Sequence, residues 1–416
     1  MKKAFHIMAK PTSYQCNLKC DYCFYLEKEH QTDFNSKKLK CMDDNTLREY
    51  IRQYIELSPS HEIDFTWQGG EPLMAGMDFF QRVIQYQKRY GKGKQIYNSI
   101  QTNGVLLTAE WAKFLKEHHF LVGISLDGPQ WLHDIYRKSN SGNSVFDKVI
   151  NAIRLLKEYQ IDFNILTVIN NETAKYPEEI YRFITEELQA NYLQFIPVVE
   201  YEMNNSKFQH LSYPQEAGEK TLTSWSITGK QYGDFINKVF DIWVRKDVGK
   251  VFVQLFDNSL AAWSGDMPSF CVMQPACGYG LVAEQNGDIY SCDHFVYPEF
   301  KLGNLLSKPL NKLVYSKQQQ RFGQQKLNLS SLCQKCEFKF ACHGGCPKHR
   351  TEKVENKWHN HLCEGYKAIF SHIDPYMQYM ANELRFRRPP ASVMDNLHLF
   401  QRAAPIENTI PIRHIN

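Results

Sequence analysis

Along the first half of the chain, short apolar runs trade places with longer stretches of helical period. The short runs predict strands over residues 5–9, 62–67, 95–101, 121–126, 162–169 and 192–198. The second alternates most clearly, at Ile63, Phe65 and Trp67, as a strand with one buried face requires. Between the strands, Leu47, Tyr50, Ile51, Tyr54 and Ile55 form one helical stripe after a start signal at Asp43 and Asp44. Phe79, Phe80, Val83 and Ile84 repeat the pattern, as do Trp111, Phe114, Leu115 and His118, and then Phe146, Val149, Ile150, Ile153 and Leu156. Strands alternating with helices predict a parallel sheet, which right-handed crossovers curl into an open or partial barrel of six β-α units. Ligands bind such sheets at the carboxyl ends of the strands. Polar residues and glycines gather there: Cys16, Cys20 and Cys23 after the first strand, then Gln68-Gly69-Gly70-Glu71-Pro72 after the second. Thr102-Asn103-Gly104 follows the third, and Ser125-Leu126-Asp127-Gly128-Pro129 ends the fourth.

The pattern changes near residue 200. Residues 200–233 read as a loop-rich connection, and a helix carrying Phe235, Val239, Ile242 and Trp243 is expected from 234. This divides the chain into a β-α domain over 1–233, a cysteine-rich domain over 234–385 and a tail over 386–416, expected to drape on the surface or fray without a role of its own. Over 416 residues, 43% hydrophobic and 13% aromatic content is enough for a buried core. Lys and Arg number 49 against 45 Asp and Glu, a net charge of +4, too mild to indicate a nucleic-acid partner. No run of 18 apolar residues occurs, so no membrane span is expected. The opening MKKAFHIMAKPTSYQC lacks a continuous apolar segment and reads as cytoplasmic protein without a signal peptide.

The cysteines carry the chemistry. Of 12, four lie in the first 41 residues, none between 42 and 270, and eight between 271 and 363. In a reducing compartment such clusters are metal ligands more often than disulfides. Cys16, Cys20 and Cys23 put three thiolates on one short loop. A 4Fe–4S cluster takes four cysteines, so three leave one iron open to a non-protein ligand. The same residues also fit a zinc site completed by His30 or Cys41, or unligated buried thiols. Downstream, Cys271, Cys277, Cys292, Cys333, Cys336, Cys342, Cys346 and Cys363 supply ligands for two further clusters, leaving Cys41 spare. Cys333, Cys336, Cys342 and Cys346 alone could instead form one zinc ribbon.

The cysteine triplet followed by Gly69-Gly70-Glu71-Pro72 resembles the radical S-adenosylmethionine (SAM) superfamily, and the downstream cysteines resemble its SPASM extension. The stretches CNLKCDYCFYLEK from Cys16, FTWQGGEP from Phe65, FLVGISLDGP from Phe120, CDHFVYPEFKLGN from Cys292 and CHGGCPKHR from Cys342 resemble the anaerobic sulfatase-maturating enzymes over roughly residues 1–380. The resemblance implies a partial (β/α)6 TIM-type barrel followed by a SPASM domain. It implies three 4Fe–4S clusters. Cys16, Cys20 and Cys23 would hold the SAM-binding one; Cys271, Cys277, Cys292 and Cys346 one auxiliary cluster; and Cys333, Cys336, Cys342 and Cys363 the other. Tyr22, Gln68, Gly69, Gly70, Glu71 and Ser125 would contact SAM, with Glu71 holding its amino end and the two glycines letting the backbone approach it. Asp293, next to Cys292, would be the catalytic base, in an apolar pocket that raises its pKa, and Tyr25 would shape the substrate pocket. The implied activity is oxidation of a sulfatase Cys or Ser to Cα-formylglycine without oxygen, through a 5′-deoxyadenosyl radical. A flavodoxin or ferredoxin is the implied electron donor. Two rivals are a SPASM enzyme that cross-links a ribosomal peptide and a zinc-stabilised regulatory protein without catalysis.

Overall fold

The computed structural model describes residues 3–25, 28, 41–203, 211, 213, 216 and 218–400. Six parallel strands follow one another across the sheet: β1 (His6–Lys10), β2 (Glu62–Trp67), β3 (Gln95–Thr102), β4 (Phe120–Ser125), β5 (Phe163–Ile169) and β6 (Tyr192–Pro197). They are the six strands expected, with ends shifted by a residue. Helices Asp44–Leu57, Met77–Tyr90, Ala109–Glu117 and Phe146–Glu158 lie between them. The first starts where Asp43 accepts the Thr46 N–H at 2.8 Å, a side-chain cap of the usual kind.

The apolar stripes of these helices cover one face of the sheet. Tyr50, Tyr54, Phe65, Trp67, Phe79 and Phe80 form one buried aromatic cluster, each ring contributing about 1.5–3 kcal/mol by leaving water. Strand alternation puts different chemistry on the other face. Thr66 meets Ser99 at 2.9 Å, Gln68 meets Gln101 at 2.6 Å, and Lys10 donates to Gln68 at 3.0 Å. The pattern that buries Ile63, Phe65 and Trp67 therefore leaves a polar inner wall.

The sheet does not end with β6. Strand Gly280–Glu284, from the cysteine-rich half, pairs in parallel with β1, Lys10 opposite Glu284. Antiparallel strands Asp288–Tyr290 and Lys301–Asn304 extend that edge, and Phe252–Val253 joins β6 at the other. The two halves of the chain thus share one hydrogen-bonded sheet. Strands Tyr201–Met203 and Lys220–Leu222 form a separate small hairpin. The following helix runs over Gly229–Lys246, crossing residue 234, where a helix was expected to start. Its start is a capping box between Thr228 and Gln231, a pattern the sequence carries and the periodicity alone overlooks.

The expectation of a draped or frayed segment fails for residues 390–400. They form a helical stretch in which Val393, Met394, Leu397 and Phe400 join the core. Phe400 packs on Tyr376 and Tyr379 of helix Cys363–Arg385. Apolar residues at helical spacing explain the docking. Residues 401–416, like His30, lie outside the described residues. Among the described residues no helix is long and apolar enough to cross a membrane.

Candidate functional site

The loop after β1 carries the first three cysteines and is tied to its neighbours at many points. Leu18 bridges Ser139, the Lys19 N–H donates to Lys138 O at 2.9 Å, and the Asp21 N–H to Tyr136 O at 3.3 Å. The Tyr22 hydroxyl donates to Asp127, which also pairs with Arg137 at 2.9 Å and accepts the Val168 N–H at 3.0 Å. Tyr22 thereby locks the cysteine loop to the end of β4, where Ser125 lies buried. Asp127 and Arg137 form a buried ion pair that the sequence reading gave no role.

Glu71 is 0% exposed. Its carboxylate accepts from Thr102 Oγ1 at 2.7 Å, the Asn103 N–H at 2.8 Å and the Leu73 N–H at 3.0 Å. Burial raises its pKa to about 7, against the pull of those donors. The Gly-Gly turn packs on the cysteine loop itself: the Gly70 N–H donates to Ser13 O at 2.6 Å, and the Glu71 N–H to Gln15 O at 2.9 Å. A Cβ on Gly70 would sit 2.0 Å from the backbone oxygen of Gln15. Gly70→Ala is therefore expected to cost about 3 kcal/mol or more by overpacking, read as a lower thermal midpoint of the apoprotein, and to lower iron loading at the first cysteines.

The twelve thiols fall into groups. Burial pushes the Cys16 and Cys20 thiols up to about 12, and Cys23 adds to the rise at both. Burial first, and then Cys346, raises Cys271, Cys277 and Cys292, while Cys346 itself, pushed up by burial, is held below the usual thiol range by His294. Burial first, and then Cys333 and Cys336, raises Cys342 and Cys363. Cys41 stands apart beside Arg82. The last four-cysteine set lines a cavity of about 350 Å³. Among the described residues, no three His, Cys, Asp or Glu side chains converge as one metal ion requires. Three thiols on one loop and two further sets of four supply the sulfur donors that iron–sulfur cubes take. The residues present therefore fit iron–sulfur clusters.

The chain matches the family model for the radical SAM superfamily over residues 11–184 and that for an iron–sulfur cluster-binding domain, SPASM, over residues 275–337. It is 42% identical over 398 residues to a serine-type anaerobic sulfatase-maturating enzyme of Bacteroides thetaiotaomicron, covering 95% of each protein. The chain belongs to the anaerobic sulfatase-maturating enzymes. A cysteine-type member from Clostridium perfringens is 33% identical, across 91% of this chain and 99% of that one. A solved structure described as native anSMEcpe with bound AdoMet and Cp18Cys peptide superposes with a TM-score of 0.80 at 32% identity, covering 91% of this chain and 99% of that one. Streptococcus suis SuiB, at 16% identity and a TM-score of 0.58, shares the fold alone. This chain is accordingly a radical SAM enzyme with iron–sulfur clusters.

In this enzyme, Asp293 opens a short turn directly after Cys292, its Oδ1 3.6 Å from that sulfur. The expected apolar pocket is not there. Burial pushes the Asp293 carboxyl up, but His294, Lys10 and hydrogen bonds from Cys292 and the His294 N–H outweigh it and hold the pKa below the usual carboxylate range. Lys10, at the end of β1, is buried, with its ammonium 4.0 Å above the Tyr25 ring. Burial lowers the Lys10 pKa, while Asp293, Glu284, Cys23 and Cys292 oppose the fall. Lys10 thus lies in the field of both the first cysteine loop and Cys292. The Tyr25 hydroxyl donates to Glu284, opposite Lys10 in the sheet. Lys10 and Glu284 carry a sequence signal only as charged residues inside otherwise apolar strands.

Proposed function

We propose that the enzyme oxidises a Cys or Ser side chain of a sulfatase polypeptide to Cα-formylglycine without oxygen. The observation that carries this reading is the position of Asp293, a carboxylate adjoining the auxiliary thiol Cys292 and electrostatically coupled, through Lys10, to the first cysteine loop. Cys16, Cys20 and Cys23 would hold the SAM-binding cluster, and Tyr22, Gln68, Gly69, Gly70, Glu71 and Ser125 would form the wall of the SAM site. The other two thiol sets would hold the auxiliary clusters. When bound, SAM and the clusters supply a 5′-deoxyadenosyl radical to remove hydrogen from the target Cβ, and an acceptor for the second electron. Asp293 takes the proton from the substrate heteroatom. Its ionised state at neutral pH leaves it free to do so, and Lys10 and His294 keep it ionised. Tyr25, clamped by Glu284, shapes the pocket beside it.

The electron donor is a small acidic one-electron carrier, a flavodoxin or ferredoxin. Supporting it, Lys335, Lys339 and Lys367, with Glu337, line the mouth of the cavity that holds Cys333, Cys336, Cys342 and Cys363. Leu332 and Phe340 are exposed beside them. Apolar contact ringed by positive charge suits such a partner. We further place the reaction in the cytoplasm and read the chain as a radical SAM core followed by a SPASM domain, with the junction at the helix Gly229–Lys246 and not at 233/234.

The test is anaerobic incubation of the reconstituted enzyme with SAM and short sulfatase peptides bearing Cys or Ser, reduced by dithionite or by reduced flavodoxin. Mass spectrometry should find an aldehyde at the target residue. An internal cross-link with loss of two hydrogens would instead assign the enzyme to peptide cross-linking. One or two zinc ions per chain and no iron would end both readings.

A further inference from the structure

Asn103 follows the last residue of β3 and is fixed by its surroundings. Its N–H donates to Glu71 Oε2 at 2.8 Å, and its Oδ1 accepts the Val105 N–H at 3.0 Å. That orientation turns Nδ2 toward the cysteine loop. Nδ2 lies 2.8 Å from Asn17 Oδ1 and 3.5 Å from Cys16 Sγ, so its two hydrogens have one acceptor each. The same sulfur accepts the Leu18 N–H at 3.4 Å. Asn103 is 7% exposed, which leaves water little room to replace the amide.

The other two thiol sets each show a comparable contact. His294 Nδ1 is 3.7 Å from Cys346 Sγ, and His359 Nδ1 is 3.7 Å from Cys333 Sγ. One side-chain nitrogen thus addresses one sulfur in every set. At the first set the donor is an amide, whose N–H does not titrate.

We propose that Asn103 raises the reduction potential of the cluster held by Cys16, Cys20 and Cys23, through its hydrogen bond to the Cys16 sulfur. This rests on the reading of Cys16 as a cluster ligand. Reduction adds one electron, and part of its charge spreads onto the ligating sulfurs. An N–H aimed at a sulfur stabilises the more negative form, so hydrogen bonds to the sulfurs tune the potential. In a buried site the effect is strengthened, because no solvent screens it. Glu71 then has a second consequence: by holding the Asn103 backbone, it aims the amide. Asn103 is a positioning and tuning residue, in contact with a ligand and not with the reacting carbon.

The test uses anaerobically reconstituted enzyme, wild type against Asn103→Leu and Asn103→Asp. The reduced clusters are followed by electron paramagnetic resonance during a potentiometric titration. The first cluster is the one whose signal changes when SAM is added. Asn103→Leu removes the donor at nearly constant shape. It should lower the reduced-to-oxidised ratio of that cluster about tenfold at fixed potential, a shift of ~59 mV downward for one electron. Asn103→Asp keeps the acceptor for Val105 and adds negative charge at the sulfur, so its potential should fall further. The auxiliary signals should not move. An unchanged potential in both variants at full iron content overturns the proposal, as does an equal shift of all three clusters. If Asn103→Leu fails to bind iron, Asn103→Ala, which removes the amide without adding charge, decides in its place. Failure of both to bind iron makes Asn103 a structural residue and also overturns it. A wild-type enzyme that left every sulfatase peptide unmodified would sink the functional reading, yet the titration would still decide this one.

Discussion

Replacing Cys16, Cys20 or Cys23 with Ala is expected to abolish 5′-deoxyadenosine formation, assayed chromatographically after anaerobic reduction with dithionite. Iron should fall from roughly twelve to roughly eight atoms per chain, because the other eight ligands lie on separate segments that the substitution leaves in place. The physical reason is that three thiolates are already the minimum for holding a cube with one open corner. Removing one exposes a second iron and loosens the whole cluster. Cys41 supplies the control. It lies beside Arg82, apart from the three thiol groups, so Cys41→Ala should keep both full iron and full cleavage. Loss of iron in Cys41→Ala, or nucleoside formation persisting in all three triplet variants, would sink the reading of the first loop.

The same contrast shows what the sequence makes legible. β2 (Glu62–Trp67) falls where the alternation of Ile63, Phe65 and Trp67 puts it, because burial of one face imposes a period of two. The stripe from Leu47 to Ile55 gives its helix for the same reason at a period of 3.6. The cysteine loop is visible because few chemistries need three thiols so close together. Pairing between distant segments is not visible. Nothing local in Gly280–Glu284 announces that it will lie beside β1, since its register is set by contacts far off in sequence. Lys10, Glu284 and the Asp127–Arg137 pair were missed for that reason: their partners come from other strands and loops. Residues 390–400 were misread because Arg387, Arg388 and two prolines mask a short apolar stripe at Val393, Leu397 and Phe400. The glycines of the Gly-Gly motif were expected to let the backbone approach the cofactor. Gly70 is needed at least as much for packing against Gln15, a contact that only the folded loop creates.

The pKa of Asp293 is the case where this hidden geometry matters most for mechanism. From Cys292 alone, a cluster-adjacent carboxylate should be hard to ionise. His294 and Lys10, with hydrogen bonds from Cys292 and the His294 N–H, reverse the sign. On the proposed reading, a carboxyl held below its usual range serves as a proton acceptor and not as a donor. Asp293→Asn is expected to preserve iron content and 5′-deoxyadenosine formation, since Asp293 is not among the first three thiols or the Gly-Gly turn. It should lower aldehyde formation on a sulfatase peptide by about 10²–10⁴-fold, the range for loss of a positioned proton acceptor. The amide keeps the shape and cannot take the proton, so a loss confined to aldehyde separates base chemistry from folding. Lys10→Met gives an independent view of the same site. It removes the charge that helps keep Asp293 ionised, and aldehyde formation should fall while cleavage continues. The measurement is the ratio of aldehyde to 5′-deoxyadenosine, by mass spectrometry and chromatography on one reaction. Both variants should uncouple the two products; an unchanged ratio in Asp293→Asn would remove the carboxylate from the chemistry and leave the proton to another group.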